Sequence, residues 1–401
     1  MRGFRFFAVF ALSALGVAAC GGGGGSGGGG GTAGKPDKVQ IAAEGPFTGD
    51  QASIAAGALQ AIQLAVKDFN AKGGVHGTQV QLLKWDDQHN PQTGGTLQAQ
   101  GISDPTVLGL IGPMNSGVVL GTATGLQGAS PPLPFISESA SNVKVTDSGW
   151  SVAHRVNARD DAQGPADAKF MIDQGAKKIY LLDAKSDYST ALADAVQGYL
   201  KDKAPTVQTK RDSAQQGQKD FSTIVTNIKS FGPDWVFFAD EGPEAGPLVT
   251  QLKQAGLTIG QNIQFLGTDG EEDASLIQKS QGAYIGAYAT NIVPDPAGIS
   301  TASSFVNGFK QEYGQDAIGK AGPFYGSAYE ATQILLQAIA KATVNNGKIS
   351  RSDVLSQLAS GTFDTIFGSV KFNSKGDVAS GGIYVYKAGT DSMVVQKQIT
   401  G

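Results

Sequence analysis

A single cysteine, at position 20, stands in a chain of 401 residues, so no disulfide can form within it and the fold rests on its core alone. Histidine is almost as scarce, with only His76, His89 and His154. None forms a His-x-x-x-His pair or has a cysteine beside it, which leaves a histidine metal site without support. A Ser-His-Asp hydrolase needs a serine on a tight turn, and outside the glycine run near the N-terminus no Gly-x-Ser-x-Gly occurs. Charge is thin as well. Charged residues make up 16%, the formal net charge is -4 and no basic stripe appears, so nucleic acid is not an expected partner. After the first twenty residues no apolar run approaches the length of a membrane helix.

The N-terminus carries what the rest lacks. Arg2 and Arg5 precede an uncharged apolar stretch over 6–19, the pattern of a secretory signal and too short for a membrane span. It ends in Val17-Ala18-Ala19-Cys20, which resembles the lipobox of bacterial lipoproteins. The resemblance implies that residues 1–19 are removed and that Cys20 is lipidated as the mature N-terminus. Over 21–34 the chain is glycine except for Ser26, Thr32 and Ala33, and with Cys20 and Lys35 it is read as a tether. No strand precedes it and no helix follows directly, as a phosphate-cradling loop requires. Roughly 365 residues remain, enough for two lobes.

From there short apolar runs alternate with amphipathic stretches. Strands are expected over 39–43, 80–85, 107–111 and 133–137, with helices over 51–69, 91–103 and 118–127 between them. A second series follows: helices over 164–174, 190–201, 221–230 and 245–255, and strands over 178–183, 206–210, 235–239 and 264–267. Later pieces are a strand over 283–292, helices over 301–313, 327–340 and 351–359, and terminal strands near 370–372, 383–386 and 394–399. The alternation predicts an α/β fold with two doubly wound units whose strand ends face one cleft.

Two constellations invite chemistry and fail. Gly314-Gln315-Asp316-Ala317-Ile318-Gly319-Lys320-Ala321 nearly matches a P-loop, but Ala321 lacks the magnesium-binding hydroxyl and the segment follows a helix, so it reads as a loop. The acidic groups Asp86-Asp87, Glu271-Glu272-Asp273 and Asp240-Glu241 with Glu244 are sequence neighbours that do not point together, so none predicts acid/base catalysis. Asp269 is the stronger candidate, because Gly267-Thr268-Asp269-Gly270 closes a strand at the expected cleft edge.

Several segments in this order resemble the branched-chain amino-acid-binding proteins, the Leu/Ile/Val-binding type of type I periplasmic solute-binding protein that serves ABC importers. They are Gly45-Pro46-Phe47-Thr48-Gly49, Asn70-Ala71-Lys72-Gly73-Gly74-Val75-His76-Gly77, Asp86-Asp87 with Pro91, Ile111-Gly112-Pro113, Ile136-Ser137-Glu138-Ser139-Ala140-Ser141-Asn142, Gln163-Gly164-Pro165, Asp220-Phe221-Ser222 and Gly267-Thr268-Asp269-Gly270. The resemblance runs from about residue 38 to 398. It implies a lobe of 36–157 plus about 288–362, a second of 158–287 plus about 363–401, a hinge, and a ligand cleft between them.

The resemblance also implies a site. Ser116, in Asn115-Ser116-Gly117, matches the loop that binds an amino acid's carboxylate, and the helix expected to follow favours an anion. Ala140 and Ser141 match positions that contact both charged ends, Asp269 matches the acid that takes the ammonium, and Tyr188 matches an aromatic that closes over the ligand. After the strand over 235–239, where some relatives carry an aromatic, this chain has Asp240-Glu241-Gly242-Pro243. The implied partners are a small solute, an amino acid or alternatively urea, a short amide or an aromatic acid, and ABC permease subunits. A ligand sensor for a signalling receptor is the other reading. A monomer without catalysis, metal or cofactor is expected, held at the outer face of the cell membrane or in the periplasm.

Overall fold

The computed structural model describes residues 34–379 and 382–399; the leader, Cys20 and most of the tether lie outside the described residues. Five strands form the first sheet: β1 (Val39–Gly45), β2 (Val80–Asp86), β3 (Val107–Ile111), β4 (Phe135–Ser137) and β5 (Ala153–Arg155). All run parallel, in the order β2-β1-β3-β4-β5. The second sheet takes β6 (Lys178–Asp183), β7 (Gln208–Ser213), β8 (Trp235–Ala239), β9 (Gln264–Gly267) and β10 (Tyr288–Asn291) in the order β7-β6-β8-β9-β10. That is the same winding again. Two hairpins, β11 (Val344–Asn345) with β12 (Lys348–Ile349) and β13 (Phe363–Thr365) with β14 (Gly368–Val370), precede β15 (Ile383–Ala388) and β16 (Met393–Ile399). These last two extend the second sheet antiparallel beyond β10.

Helices cover both faces of each sheet, as buried parallel strands require. On the first sheet, α1 (Ala52–Ala71) packs on one face; α2 (Pro91–Ser103) and α3 (Ser116–Gly128) pack on the other, followed by the short α4 (Lys144–Asp147). On the second, α5 (Asp160–Asp173) and α6 (Asp187–Lys203) oppose α7 (Ser222–Phe231) and α8 (Ala245–Gln254), with the short α9 (Ser275–Lys279) beside them. The chain then returns, and α10 (Ser303–Tyr313), α11 (Tyr325–Lys341) and α12 (Arg351–Ser360) join α1 over the first sheet. Strand β1 is buried along its length, as a central strand of a two-faced sheet is.

Local rules explain most boundaries. Helix α2 starts at Pro91 because the Asn90 side chain accepts from the N–H groups of Gln92 and Thr93. Gly232, in the left-handed region, closes α7. The expected elements are present, with differences where the pattern was polar. Strand β5 reads Ala-His-Arg and offers no apolar run, yet both polar side chains are buried. Helix α5 starts at Asp160, four residues before the apolar pattern does, and carries Pro165 in its first turns. Only 288–291 of the strand expected over 283–292 joins the sheet.

Helix α1 shows how closely the pieces approach. Its buried Ile54, Ala55, Ala58, Ala61, Ile62 and Ala65 recur at helical spacing, and Gly57 lies against the loop before α11. A Cβ on Gly57 would stand 1.9 Å from the carbonyl oxygen of Ala321, a backbone atom that cannot swing away. Gly57→Ala should therefore lower stability by about 2 kcal/mol, since overpacking outweighs the ~1 kcal/mol helix-propensity gain of alanine. Urea denaturation followed by circular dichroism measures it, and an unchanged midpoint would contradict the close packing.

Candidate functional site

In a sheet wound 2-1-3-4-5 the crevice lies beyond the carboxyl ends of the strands, where the order reverses. Here that point falls between β1 and β3 in one sheet and between β6 and β8 in the other. The segments leaving these ends meet around one cavity of about 310 Å³, part of it open to solvent. Met114, Asn115 and Ser116 come from the end of β3, Ser139 and Ser141 from β4, Tyr188 from the segment after β6, Glu241 from β8, and Asp269 and Gly270 from β9. Ile54 and Phe324 complete the wall.

Four residues expected at the site, Ser116, Ser141, Tyr188 and Asp269, line this cavity together. Ala140 does not line it: its N–H donates to Ser137 Oγ at 3.0 Å and its carbonyl accepts from Arg155 Nη1 at 3.1 Å. Ser116 is the first residue of α3, whose opening N–H groups lack intrahelical partners and carry the positive end of the helix dipole. Ser116 Oγ accepts the N–H of Asn142 at 3.3 Å. The Ser141 hydroxyl is buried without a hydrogen bond.

Asp269 forms the opposite pole. It opens a 3-10 turn, Asp269–Glu271, held by a capping box between Thr268 and Glu271. Its Oδ1 accepts from Tyr188 Oη at 2.5 Å and from Gln163 Nε2 at 2.8 Å, which leaves Oδ2 for a further donor. Burial pushes its carboxyl up to about 6, although Tyr188 and Gln163 pull the other way. Asp160 nearby is pushed up to about 7 by burial and by Asp269.

Sequence reasoning missed Asn115, Gln163 and the pair of His89 with Glu241. Asn115 Nδ2 donates to Gln51 Oε1 at 2.9 Å and to Glu241 Oε1 at 3.1 Å. His89 adopts a left-handed φ of 60°, and its Nε2 stands 3.4 Å from Glu241 Oε1. Burial disfavours both charges, but the pairing wins: His89 is held above its ordinary pKa and Glu241 below. The only signal was the acidic Asp240-Glu241 at a strand end. These bonds, with Asn142 Nδ2 to the Asp187 carbonyl at 2.8 Å and Ser53 Oγ to Asp273 at 3.1 Å, join the segments leaving one sheet to those leaving the other. Among the described residues no group of three or more His, Cys, Asp or Glu could hold a metal ion, and no helix is long and apolar enough to cross a membrane.

Residues 38–392 match the periplasmic binding protein family. An amino acid binding protein of Pseudomonas aeruginosa is 27% identical over 352 residues, 87% of this chain and 90% of its own. Leu/Ile/Val-binding protein homolog 2 of Brucella abortus is 30% identical over 340 residues, 84% of this chain and 87% of its own. The crystal structure of a leucine binding protein from Thermotoga maritima superposes with a TM-score of 0.79 at 26% identity, covering 90% of this chain and 98% of that one. With the doubly wound sheets and the cleft between their strand ends, these matches make the chain a member of the periplasmic binding protein family, of the type serving branched-chain amino-acid ABC transporters, which binds a solute and does not transform it.

Proposed function

We propose that the protein captures a free α-amino acid in this cavity and delivers it to a membrane permease. The observation that carries the reading is a pair of opposite poles on one cavity: the N-terminus of α3 with Ser116, and the carboxylate of Asp269. A zwitterion fits such a pair. Its carboxylate would take the helix end and the hydroxyls of Ser116 and Ser141, and its ammonium the free oxygen of Asp269. Tyr188 and Gln163 hold that carboxylate in place.

The two sheets with their helices act as lobes that close on the ligand. The expected bounds shift, because 288–291 joins the second sheet and 363–378 packs on the first: the lobes are 36–157 plus about 292–378, against 158–291 plus about 382–399. Bridging contacts exist only in the closed form, so the ligand shifts the equilibrium by its differential affinity. The lipid on Cys20 and the glycine tether would keep this receptor at the outer membrane face, near its permease. A thermal-shift screen of the purified protein against the common amino acids, urea and benzoate tests the reading. A cognate amino acid at 100 times its Kd should add about 2.7 kcal/mol of stability. Stabilisation by urea or benzoate and by no amino acid would overturn it.

A further inference from the structure

The two poles account for the part common to all amino acids, and the remaining wall of the cavity has its own chemistry. Ile54, Met114 and Phe324 supply apolar surface, while Asn115 and Glu241 supply polar atoms. Asn115 is 5% exposed, and its amide nitrogen donates to two fixed acceptors, Gln51 Oε1 and Glu241 Oε1. That orients the amide and leaves Asn115 Oδ1 buried with no donor. Glu241, 7% exposed, has His89 and Asn115 at Oε1 and Gln216 Nε2 at Oε2, 3.3 Å away, and still holds unused acceptor capacity.

Glu241 also lines a neighbouring cavity of about 720 Å³, part of it open to solvent, where Asp50, Asp240 and Glu244 face the same space. Asp240 Oδ1 is a further buried acceptor without a partner. No lysine or arginine lines either cavity among the described residues, and His89 supplies the one cationic group there. The groups left over on Asn115 and Glu241 accept hydrogen bonds. An isopropyl or sec-butyl group placed here would leave Asn115 Oδ1 unpaired and would face a carboxylate.

We infer that the captured amino acid has a side chain ending in N–H donors, a neutral amide or a cation, whose aliphatic stem packs on Ile54, Met114 and Phe324 and whose head is read by Asn115 Oδ1 and Glu241. The inference rests on the amino-acid reading above and narrows it. A site that demands a hydrogen bond discriminates through the groups left unpaired when the wrong ligand binds, which is stronger than discrimination by one methylene.

Calorimetric titration of the intact protein with glutamine, lysine, arginine, leucine, isoleucine, valine and alanine tests it. At least one donor-terminated amino acid should bind ten times or more tightly than the branched-chain set, the effect of about one charge-assisted hydrogen bond. Glutamine as the preferred ligand identifies the amide, and lysine or arginine the cation. In Glu241→Leu that preference should fall about tenfold or more. Glu241→Gln keeps the shape should the leucine variant misfold, and it should lower the affinity for cations. Leucine, isoleucine or valine binding as tightly as every donor-terminated amino acid overturns the inference and leaves the amino-acid reading standing. No binding of any amino acid overturns both.

Discussion

Replacing Asp269 with alanine is expected to weaken amino-acid capture by roughly 100-fold or more, the penalty for removing one partner of a buried charge pair. The carboxylate is 5% exposed and held by Tyr188 and Gln163, so no water can substitute for it cheaply. Its carboxyl, pushed up to about 6 by burial, gives the prediction a second reading. A group raised by burial keeps its proton below that value, and an incoming ammonium needs the ionised form. Affinity should therefore rise with pH up to about 6 and level off above, with binding about tenfold weaker at pH 5 than at pH 7. Asp269→Asn keeps the volume, removes the charge and should flatten this dependence. Titration calorimetry at several pH values measures both effects. Unchanged affinity in the alanine variant would remove Asp269 from the ammonium site.

Asp269 was legible in the sequence because a Gly-Thr-Asp-Gly stretch after a short apolar run is a strand end, and strand ends frame the cleft of doubly wound folds. Ser116 entered through the resemblance of Asn115-Ser116-Gly117 to the family's carboxylate-binding loop, and the helix that starts there agrees with it. The winding of the two sheets followed from alternating apolar periods, which need only local information. Pairings across the molecule did not. Asn115 meets Glu241 across 126 residues and Gln163 meets Asp269 across 106. No period announces such a meeting, since each side chain looks polar and exposed in its own segment. Strand β5 stayed hidden for the same reason, because burial of its His154 and Arg155 depends on partners elsewhere in the chain.

Asp377→Ala should be the most destabilising of the substitutions considered, by about 3–5 kcal/mol, because it strands a buried guanidinium. Arg155 is fully buried at the end of β5. Its Nε donates to Asp377 Oδ1 at 2.6 Å, its Nη1 to the carbonyls of Ala140 and Asn142, and its Nη2 to Thr146 Oγ1 at 2.7 Å. Asp377 also accepts from Thr146 and Arg159, so the aspartate and the arginine complete each other's bonding. The backbones meet too: the Arg155 N–H donates to the Gly376 carbonyl at 3.0 Å. At ~2.1 cal/mol/K per residue of unfolding entropy, a loss of this size lowers Tm by roughly 5 °C in a chain this long. The same arginine fixes the segment that presents Ser141 to the cavity, so ligand affinity should fall along with stability. A double variant, Arg155→Met with Asp377→Leu, separates the two roles. Removing both charges relieves the stranded guanidinium and should restore part of the lost stability. It cannot restore the donors to the Ala140 and Asn142 carbonyls, so affinity should stay low. Full recovery of ligand binding in the double variant would mean that Arg155 only balances the charge of Asp377 and does not position the site.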